Sequence, residues 1–590
     1  MIKTDKFQDE ATLKGSGYSL VIAGAGTGKT TVLTNRCLKL LKDEVDPKNI
    51  FLITFTNKAS EEAIRRVKDN YPENLDDMHA GTFHAIANSF IQKYKKSFNV
   101  PLGRYSILDE GDSLRVFRKI IKSNSEYKYA PKIISSAYSF QRNACLSPEE
   151  VSSKFGLQAS TYSEVIDKYE EIKSSQSFLD FDDLLTYFLI LLDKVPISEI
   201  AQHVLVDEFQ DTSKLQIFIL KELSKVHKNL FVVGDDAQSI FGWRGADSSS
   251  LIGFDKVFMV GSKKYFLNRN YRSTPEILRI ANFIINLNQK QFKKSLFTDK
   301  ASGTHPTFVY SPNQDFEANH FIKILKDGYS DTAVLFRSRY LAHRLENRLA
   351  QESIPYVIRG GVRFFQQEHI KDVVSLLKIK FNIRDKISWN RFLQLLPGIG
   401  PMKADGIIKD LSVVDSIEEL NDLNFKKLGK FEPKFRKCIS CLSLTPEFVI
   451  SGVLDAFYDD YGNKHYEDWP ERKDDYAFLL SSIRKAENLE EFLRISALNE
   501  EFRGGPEEGK DCLILSTIHQ AKGLEWSKII VLGIGDGAFP NPKAIAAGAM
   551  EEERRLFYVA VTRAREKLYL SQVGESRFIQ ELKEAMHKEI

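Results

Sequence analysis

The sequence LVIAGAGTGKT, residues 20–30, decides the fold of this chain. Residues 20–22 are typical of the end of a buried strand, and the residues after Lys29 place apolar side chains at helical spacing. A glycine-rich turn between a strand and a helix points backbone N–H groups at phosphate oxygens, and the helix N-terminus adds partial positive charge. The stretch therefore predicts a phosphate-binding loop in an α/β fold, with a chance match as the alternative.

Individual residues of this loop have defined roles in nucleotide binding. Lys29 reaches the β and γ phosphates of a nucleotide, and the Thr30 hydroxyl can ligate Mg²⁺. The first position, usually glycine, is Ala23, a small residue that should still allow the turn. We predict that the residues holding the nucleotide here are Ala23, Gly24, Ala25, Gly26, Thr27, Gly28, Lys29, Thr30, Thr31 and Arg36. The loop alone predicts nucleotide binding and does not say what the energy drives.

The composition indicates a multidomain protein. With 590 residues, of which 43% are hydrophobic, the chain should form about four domains. Lys and Arg number 83 and Asp and Glu number 80, a net charge of +3, so a polyanion would be held by a local groove. There is no apolar run of the ~18 residues that a membrane span needs and no apolar signal core at the N-terminus. We predict a cytoplasmic protein with no membrane partner.

Five cysteines in a chain of this length argue against a disulfide framework and for a reducing compartment. Cys438 and Cys441 form a C-x-x-C pattern, but the sequence offers no second pair and no nearby histidine that would complete a zinc site. Ordinary structural cysteines are therefore the preferred interpretation.

An acidic pair follows a second buried strand. In HVLVDEFQD, residues 203–211, the apolar run ends at Asp207 and Glu208. This arrangement places Asp207 near Mg²⁺ and Glu208 where it can orient or deprotonate an attacking water. An acidic pair at a strand end is common by itself. Combined with the phosphate loop, it predicts nucleotide hydrolysis.

Two further strand ends carry residues suited to nucleic acid. Phe55 can stack on a base, and Thr56 and Asn57 can hold a phosphodiester; a strand-to-helix loop with an N-cap is the alternative. His84, in GTFHAIANSF, residues 81–90, is predicted to make a hydrogen-bonding contact because no second metal ligand lies at suitable spacing.

The segment LFVVGDDAQSIFGWRGA, residues 230–246, serves both sites. Gln238 is placed to sense the γ-phosphate. The mixture of rings and a cation in Phe241, Trp243 and Arg244 is typical of a platform for unstacked bases, although a buried tryptophan beside glycines is an alternative.

Taken in order and spacing, these motifs resemble the UvrD/Rep/PcrA family of superfamily 1 DNA helicases, from Gln8 to about Leu570. The amide of Gln8 suits the N6 and N7 edge of adenine, though an exposed helical glutamine is equally expected. In FLNRNYRSTPEIL, residues 266–278, the resemblance implies that Tyr271 stacks on adenine and that Arg272 contacts the γ-phosphate.

The resemblance also assigns roles near the C-terminal end. In LSTIHQAKGLEW, residues 515–526, it implies that Thr517 and His519 lie near DNA. It likewise implies that Gly523 lies near the γ-phosphate and Glu525 at the ribose. In residues 551–570 it makes Arg563 the second arginine at the γ-phosphate. Ala237, at the third position of the family's Gly-Asp-Asp-Asp-Gln segment, departs from the pattern in a way that we expect to be tolerated.

The fold implied by the resemblance is α/β, with two RecA-like parallel-sheet motor domains that are each interrupted by a mainly helical inserted domain. The first motor domain would comprise residues 1–80 and 186–265, with an insertion at 81–185. The second would comprise residues 266–372 and 509–590, with an insertion at 373–508. In the second insertion, residues 395–408 predict a helix, a glycine-rich hairpin and a helix, which either binds duplex phosphates through backbone N–H groups or is a plain turn.

The resemblance implies a DNA-dependent ATPase, using ATP and Mg²⁺, that moves 3′ to 5′ on single-stranded DNA and unwinds duplex. Its partners would be single-stranded DNA and single-strand/duplex junctions, held on a basic and aromatic track in a salt-dependent way. The short stretch after Arg563 motivates an alternative, an ATP-switched subunit that activates or loads a nuclease or another repair or replication factor. A small-molecule kinase is disfavoured because no acceptor site is evident, and RNA stays open as the track.

Overall fold

The computed structural model describes the chain except for residues 1–3, 95–105, 109, 125, 177, 247, 259–260, 360–363, 397, 412–413, 415, 423–424, 467–468, 494–495, 497–511 and 588–590. It forms two compact units. The first contains Met1–Pro306, Lys543–Leu568 and Gln580–Ile590, and the second contains Thr307–Pro542 and Tyr569–Ile579.

Fourteen strands are present in the described residues. In chain order they are β1 Tyr18–Ala23, β2 Ile50–Thr54, β3 His79–Thr82, β4 Ser106–Leu108, β5 Phe178–Asp180, β6 His203–Val206, β7 Leu230–Gly234, β8 Lys263–Leu267, β9 Thr307–Ser311, β10 Thr332–Phe336, β11 Tyr356–Arg359, β12 Leu513–Thr517, β13 Trp526–Ile534 and β14 Ala564–Val573.

Helices connect and cover these strands. In chain order the α-helices are Lys6–Lys14, Lys29–Lys42, Asn57–Lys68, Phe83–Tyr94, Glu110–Ser123, Pro131–Ala144, Pro148–Phe155, Ala159–Gln176, Phe181–Lys194, Ile197–Ile200, Lys214–Leu223, Ser248–Ile252, Phe254–Val257, Pro275–Asn286, Gln314–Lys326, His343–Gln351, Glu368–Phe381, Lys386–Gln394, Pro401–Leu411, Glu432–Cys441, Pro446–Val453, Asp459–His465, Trp469–Lys485, Pro542–Ala546, Met550–Val561 and Arg577–His587. Within the described residues, none of them is long and apolar enough to span a membrane.

The first unit is built on a six-stranded sheet in the order β3-β2-β6-β7-β1-β8, with every neighbouring pair parallel. Alternate residues of β1 belong to two different cores: Leu20 and Ile22 pack in one, and Val21 and Ala23 in the other. Both faces of the sheet are therefore covered, which explains the uninterrupted apolar runs of these strands. Because the strands are parallel, their carboxyl ends share one edge, where ligands bind in open α/β sheets.

The first insertion has a core of its own. Its helices between Glu110 and Gln176 bury an aromatic cluster that includes Phe117, Tyr138 and Tyr169. The rings of Phe117 and Tyr169 stack with centroids 4.1 Å apart. A short parallel pair, β4 with β5, closes the insertion. The prediction of a mainly helical insertion in this part of the chain agrees with this structure.

The second unit contains a six-stranded sheet in the order β11-β12-β10-β13-β14-β9. Strand β10 pairs in parallel with β12 and with β13. The helical insertion after residue 372 has a separate core, in which Trp389 and Phe435 are fully buried. Helix Lys386–Gln394 ends just before the predicted segment 395–408, and helix Pro401–Leu411 begins within it, after Gly398, whose φ angle is 81°. Whether the turn between these helices binds duplex phosphates stays a prediction.

The division into units differs from our domain boundaries. Residues 266–306, 543–568 and 580–590, which we assigned to the second motor domain, fall in the first compact unit. The physical reason is that β8 is hydrogen-bonded to β1 and that residues directly after β8 contact the phosphate loop. The two arginines predicted at the γ-phosphate, Arg272 and Arg563, consequently belong to the same unit as Lys29.

Candidate functional site

The predicted phosphate loop lies between β1 and the helix Lys29–Lys42. Gly26 and Gly28 have φ angles of 67° and 83°, values in the left-handed region that glycine adopts readily. The Thr27 hydroxyl donates to the Gly24 carbonyl at 2.9 Å and closes the turn. Gly28 caps the helix without a side-chain hydrogen bond, so the first N–H groups of this helix are open to a phosphate. Thr31 lies in the same first turn.

The first helix, Lys6–Lys14, is attached to this loop through Gln8. The Gln8 Nε2 donates to the Thr27 carbonyl at 2.9 Å, and its Oε1 accepts from the Asp5 N–H at 3.2 Å. The amide therefore joins the helix to the phosphate loop. The Tyr271 hydroxyl donates to Asp5 at 2.5 Å, and 45% of Tyr271 is exposed. The adenine contacts of Gln8 and Tyr271 stay predictions, and the exposed ring of Tyr271 is suited to stacking.

The prediction for Arg36 requires correction. Arg36 is buried on the helix after the loop, where its guanidinium donates to the Thr12 carbonyl at 3.0 Å and lies 5.9 Å from the centre of the Phe231 ring. It lies seven residues after Lys29, about two helical turns beyond the loop. Arg36 therefore joins two packed helices and the sheet, and we no longer assign it to the cofactor.

The two residues predicted to bind Mg²⁺, Thr30 and Asp207, lie close together. The Thr30 hydroxyl lies 3.5 Å from Asp207 Oδ2. Burial, followed by repulsion from Glu208, raises the pKa of Asp207 to about 7, although Lys29 opposes the shift. A buried carboxylate beside a hydroxyl is a donor set that Mg²⁺ prefers, and a bound cation would keep Asp207 ionised. The residues present therefore fit the predicted metal.

Glu208, the predicted base, has an unusual backbone. Its φ angle is 50°, a left-handed conformation that a non-glycine residue adopts at an energetic cost. The Glu208 N–H donates to Asp207 Oδ1 at 2.9 Å, and the Gln210 amide donates to both the Glu208 and Asp211 carboxylates. Strain of this kind is found at functional sites, where the surrounding structure holds it in place.

The predicted γ-phosphate residues come together at the end of the helix Met550–Val561. Arg563 is 1% exposed and donates to the Gln238 Oε1 at 3.1 Å and to the Val559 carbonyl at 3.1 Å. Arg272 donates to the carbonyl of Thr562, the neighbour of Arg563, at 3.0 Å. The structure thus brings Gln238 to Arg563, and Arg272 to the residue beside it.

Three residues that we did not predict belong to this site. The Asn270 Nδ2 donates to the Ala25 carbonyl at 2.6 Å, and the Tyr558 hydroxyl accepts from the Ala25 N–H at 3.4 Å. Lys294 is buried against Asp235 and Asp236. Asn270 stands next to Tyr271, a signal that could have found it. Lys294 is one of several lysines in a basic stretch, and the sequence does not set it apart.

Six of the nine predicted DNA-binding residues line a groove of about 640 Å³ in the first unit. Phe55 and Phe241 stack with ring centres 5.4 Å apart, and the His84 ring contacts the edge of Phe181. Trp243 is 59% exposed. The remaining predicted residues of this wall are Thr56, which caps the helix Asn57–Lys68 through a bond from the Ala59 N–H, and Asn57. The groove therefore combines stacking surfaces with polar groups.

The charge of this groove differs from the basic track that we predicted. The described lining contains no lysine or arginine, and its charged side chains are acidic: Glu110, Asp180, Asp182 and Asp211. The side chain of Arg244 lies outside the described part of the structure. Burial lowers the pKa of His84 to about 4, so His84 is neutral near pH 7. Aromatic and hydroxyl groups, not cations, dominate the described lining.

Four predicted residues lie in the second unit, after β12. Thr517 ends this strand, and His519 follows it, both partly exposed. Gly523 has a φ angle of 84° in the turn that leads to β13, and Glu525 is exposed. Their roles at DNA, the γ-phosphate and the ribose stay predictions.

Comparison with known proteins agrees with this site. Residues 4–259 match the UvrD/REP helicase N-terminal domain, and residues 265–440 and 466–575 match the UvrD-like helicase C-terminal domain. Similar proteins include the ATP-dependent DNA helicase PcrA of Staphylococcus epidermidis, 32% identical over 96% of this chain and 82% of that protein. PcrA of Bacillus subtilis is 31% identical over 98% and 85%, and PcrA of Staphylococcus aureus 30% over 98% and 86%. The chain belongs to the UvrD/REP family of helicases.

Proposed function

We propose that this protein is a DNA-dependent ATPase that moves 3′ to 5′ along single-stranded DNA and unwinds duplex at single-strand/duplex junctions. The observation that carries the proposal is one continuous loop after β7. Gln238, which contacts Arg563, and the groove residues Phe241 and Trp243 are separated by only a few residues of chain. A movement of Gln238 when the nucleotide changes would therefore be passed along a short stretch of chain to Phe241 and Trp243 in the groove.

The chemistry at the nucleotide end is hydrolysis of the γ-phosphate. Glu208 takes a proton from the water that attacks the γ-phosphorus, and the bond from the γ-phosphorus to ADP breaks. The helix N-terminus at Lys29 holds the phosphates of the departing ADP. Arg272 and Arg563 stabilise the charge that develops on the transferred phosphoryl group. Mg²⁺, held by Thr30 and Asp207, would supply further neutralisation of the phosphate oxygens.

The loop after β7 offers a mechanical link between hydrolysis and the groove. Gln238 is held on one side by Asp235 and on the other by Arg563, and Ser239 accepts a bond from Arg555 at 2.7 Å. The γ-phosphate is present in the ATP-bound state and absent in the ADP-bound state. Gln238 and Arg563 would therefore contact it in only one of these two states. Such a differential contact is what biases a conformational equilibrium.

The first test measures ATP hydrolysis with and without single-stranded DNA, followed by unwinding of duplexes with either a 3′ or a 5′ tail. We expect stimulated hydrolysis and unwinding from the 3′ tail alone. Lys29→Ala should abolish both, whereas Lys39→Ala should not, since Lys39 lies on the same helix but pairs with Asp43 on its exposed side. Full DNA-stimulated hydrolysis by Lys29→Ala would overturn the assignment.

Other outcomes of the same test identify the alternatives. Stimulated hydrolysis without unwinding from either tail would indicate an ATP-switched DNA-binding subunit that acts on a protein partner such as a nuclease. If RNA stimulated ATP hydrolysis as strongly as DNA does, the protein would not be specific for DNA. A cytoplasmic location, where a reducing environment keeps the five free cysteines as thiols, is part of the proposal.

A further inference from the structure

Lys294 is a buried cation outside every motif used above. Its side chain is 3% exposed, and its ammonium group contacts the carboxylates of Asp235 and Asp236, the latter at 2.5 Å. Both aspartates directly follow β7, and Asp236 also accepts from the Phe292 N–H at 3.0 Å. The segment that carries Lys294 is therefore attached to the start of the loop that holds Gln238.

We propose that Lys294 is a positioning residue for ATP hydrolysis: by holding the Asp235 carboxylate it orients the Gln238 amide toward Arg563. This inference rests on the function proposed above and extends it to a residue that acts through Asp235 and Gln238. It assigns Lys294 a role in the rate of hydrolysis and not in ATP binding.

The orientation of an amide depends on what its two ends face. Gln238 Nε2 donates to Asp235 Oδ2 at 2.6 Å, and Gln238 Oε1 accepts from Arg563 at 3.1 Å. A carboxylate only accepts, so it requires the NH₂ end of the amide. A protonated Asp235 could instead donate its O–H to the oxygen of the Gln238 amide. The amide would then be turned around, with its NH₂ group facing the guanidinium of Arg563. Both of these groups are donors, so the bond between Gln238 and Arg563 would be lost.

Lys294 keeps Asp235 in the accepting form. Burial by itself would raise the pKa of Asp235, but the nearby ammonium groups of Lys294 and then Lys29 outweigh burial and hold the pKa below its usual range. The bonds from Lys294 and from the Gln238 amide act in the same direction.

The other charged and titratable groups around Asp235 come from two elements. Asp236 is its neighbour in the chain and shares Lys294. From the helix Met550–Val561 and the residues after it, Arg555 faces Asp236, and Tyr558 faces both aspartates and Arg563. Burial and the aspartates raise the pKa of Tyr558, so this phenol stays neutral. Lys294 is the cation in direct contact with both aspartates, and its removal leaves Asp235 without that partner.

The test uses Lys294→Met, Lys294→Arg and the double variant Lys294→Met with Asp236→Asn, which removes one buried negative charge together with the positive one. We expect Lys294→Met to lower the kcat for ATP by roughly 10- to 100-fold, the effect of misplacing a catalytic group, with the KM for ATP changed far less. Lys294→Arg should recover most of the kcat. The double variant should recover thermal stability but not kcat.

The pH dependence separates positioning from stability. In Lys294→Met, Asp235 takes up a proton as the pH falls, because its pKa rises without the cation. The ratio of variant to wild-type kcat should therefore increase with pH. A merely structural ion pair would leave this ratio independent of pH once only folded protein is compared.

Lys173→Met is the matched control, because Lys173 is equally buried between two aspartates, Asp180 at 2.9 Å and Asp183 at 2.7 Å, in the first insertion. It should lower thermal stability and leave the DNA-free kcat unchanged. The proposal is overturned if Lys294→Met retains the wild-type kcat, or if its loss is matched by Lys173→Met and is independent of pH. A wild-type protein without ATPase activity would instead refute the proposed function itself.

Discussion

Arg563 is a buried arginine, 1% exposed, whose hydrogen bonds fix the orientation of its guanidinium group. Its Nε donates to the Val559 carbonyl, and one terminal nitrogen donates to Gln238. A γ-phosphate bound beside this guanidinium would meet a cation whose orientation is already fixed, which is the arrangement expected of an arginine that stabilises developing charge.

Arg563→Ala should lower the kcat for ATP by about 10³-fold, the lower end of the effect of such arginines. Arg563→Lys should recover little, because lysine lacks the planar fork that bonds two acceptors at once. Arg554→Ala is the control, since Arg554 lies on the same helix and binds Glu581 at 2.7 Å. Steady-state kinetics at saturating single-stranded DNA measures all three. Equal losses for Arg554→Ala and Arg563→Ala would contradict the assignment.

At this scale the sequence predicts residues whose role follows from their own neighbours in the chain. Lys29 and Thr30 open a helix after a glycine-rich loop, and Asp207 directly follows a strand, so local patterns identify all three. Lys294 meets Asp235 across 59 residues of chain and Tyr558 meets Ala25 across 533. The prediction that Arg36 binds the nucleotide was wrong for a related reason. Tertiary packing places Arg36 against Thr12, and a local sequence pattern does not contain that information.

Among the elements, the helix Gln314–Lys326 of the second unit contains a carboxyl group in an unfavourable place. Glu317 is 2% exposed and accepts from the Gly533 N–H at 2.9 Å at the end of β13. Burial raises the pKa of Glu317 to about 7, above the value of ~4.3 in an unfolded chain. The folded state then binds more protons than the unfolded state between these values, so stability falls as the pH rises through this window.

Glu317→Gln should therefore stabilise the second unit at about pH 8, by roughly 2 kcal/mol, and change little at about pH 5, where the glutamate is already neutral. The amide oxygen of the variant can keep the bond from Gly533. Thermal unfolding of variant and wild type at the two pH values measures the difference, with the pH 5 pair as the internal control. A variant that is less stable at pH 8 would show that Glu317 is ionised and satisfied in the fold.

Strands with both faces buried were predictable as elements, and edge strands were not. β1, β2, β6 and β7 are almost entirely apolar because helices cover both faces of the sheet. β8, with the sequence KKYFL, lies at the edge of the first sheet and is mostly exposed. It therefore lacks the apolar run that marks a central strand. This strand crosses the boundary between residues 265 and 266 that the family resemblance implied.

On the scale of the whole molecule, opposite charges nearly cancel, with a net charge of +3. The described lining of the groove does not share this balance, since its charged side chains are all acidic. Single-stranded DNA binding is salt-dependent to the extent that lysine and arginine side chains neutralise phosphates and release their counterions into solution. Stacking of bases on aromatic rings carries no such dependence. The two contributions can therefore be separated by substitution.

Trp243→Ala should weaken binding of an oligothymidylate by about 1–3 kcal/mol, the value of one stacked base. It should leave the slope of log affinity against log salt unchanged, because tryptophan neutralises no phosphate. Lys58→Ala is the matched contrast: this lysine is exposed beside the groove residue Asn57, and its removal should flatten the slope by ~0.7 if it neutralises one phosphate. Fluorescence anisotropy over a series of NaCl concentrations measures both quantities. A flattened slope for Trp243→Ala, or affinity unaffected by that change, would mean that the exposed ring does not hold the strand.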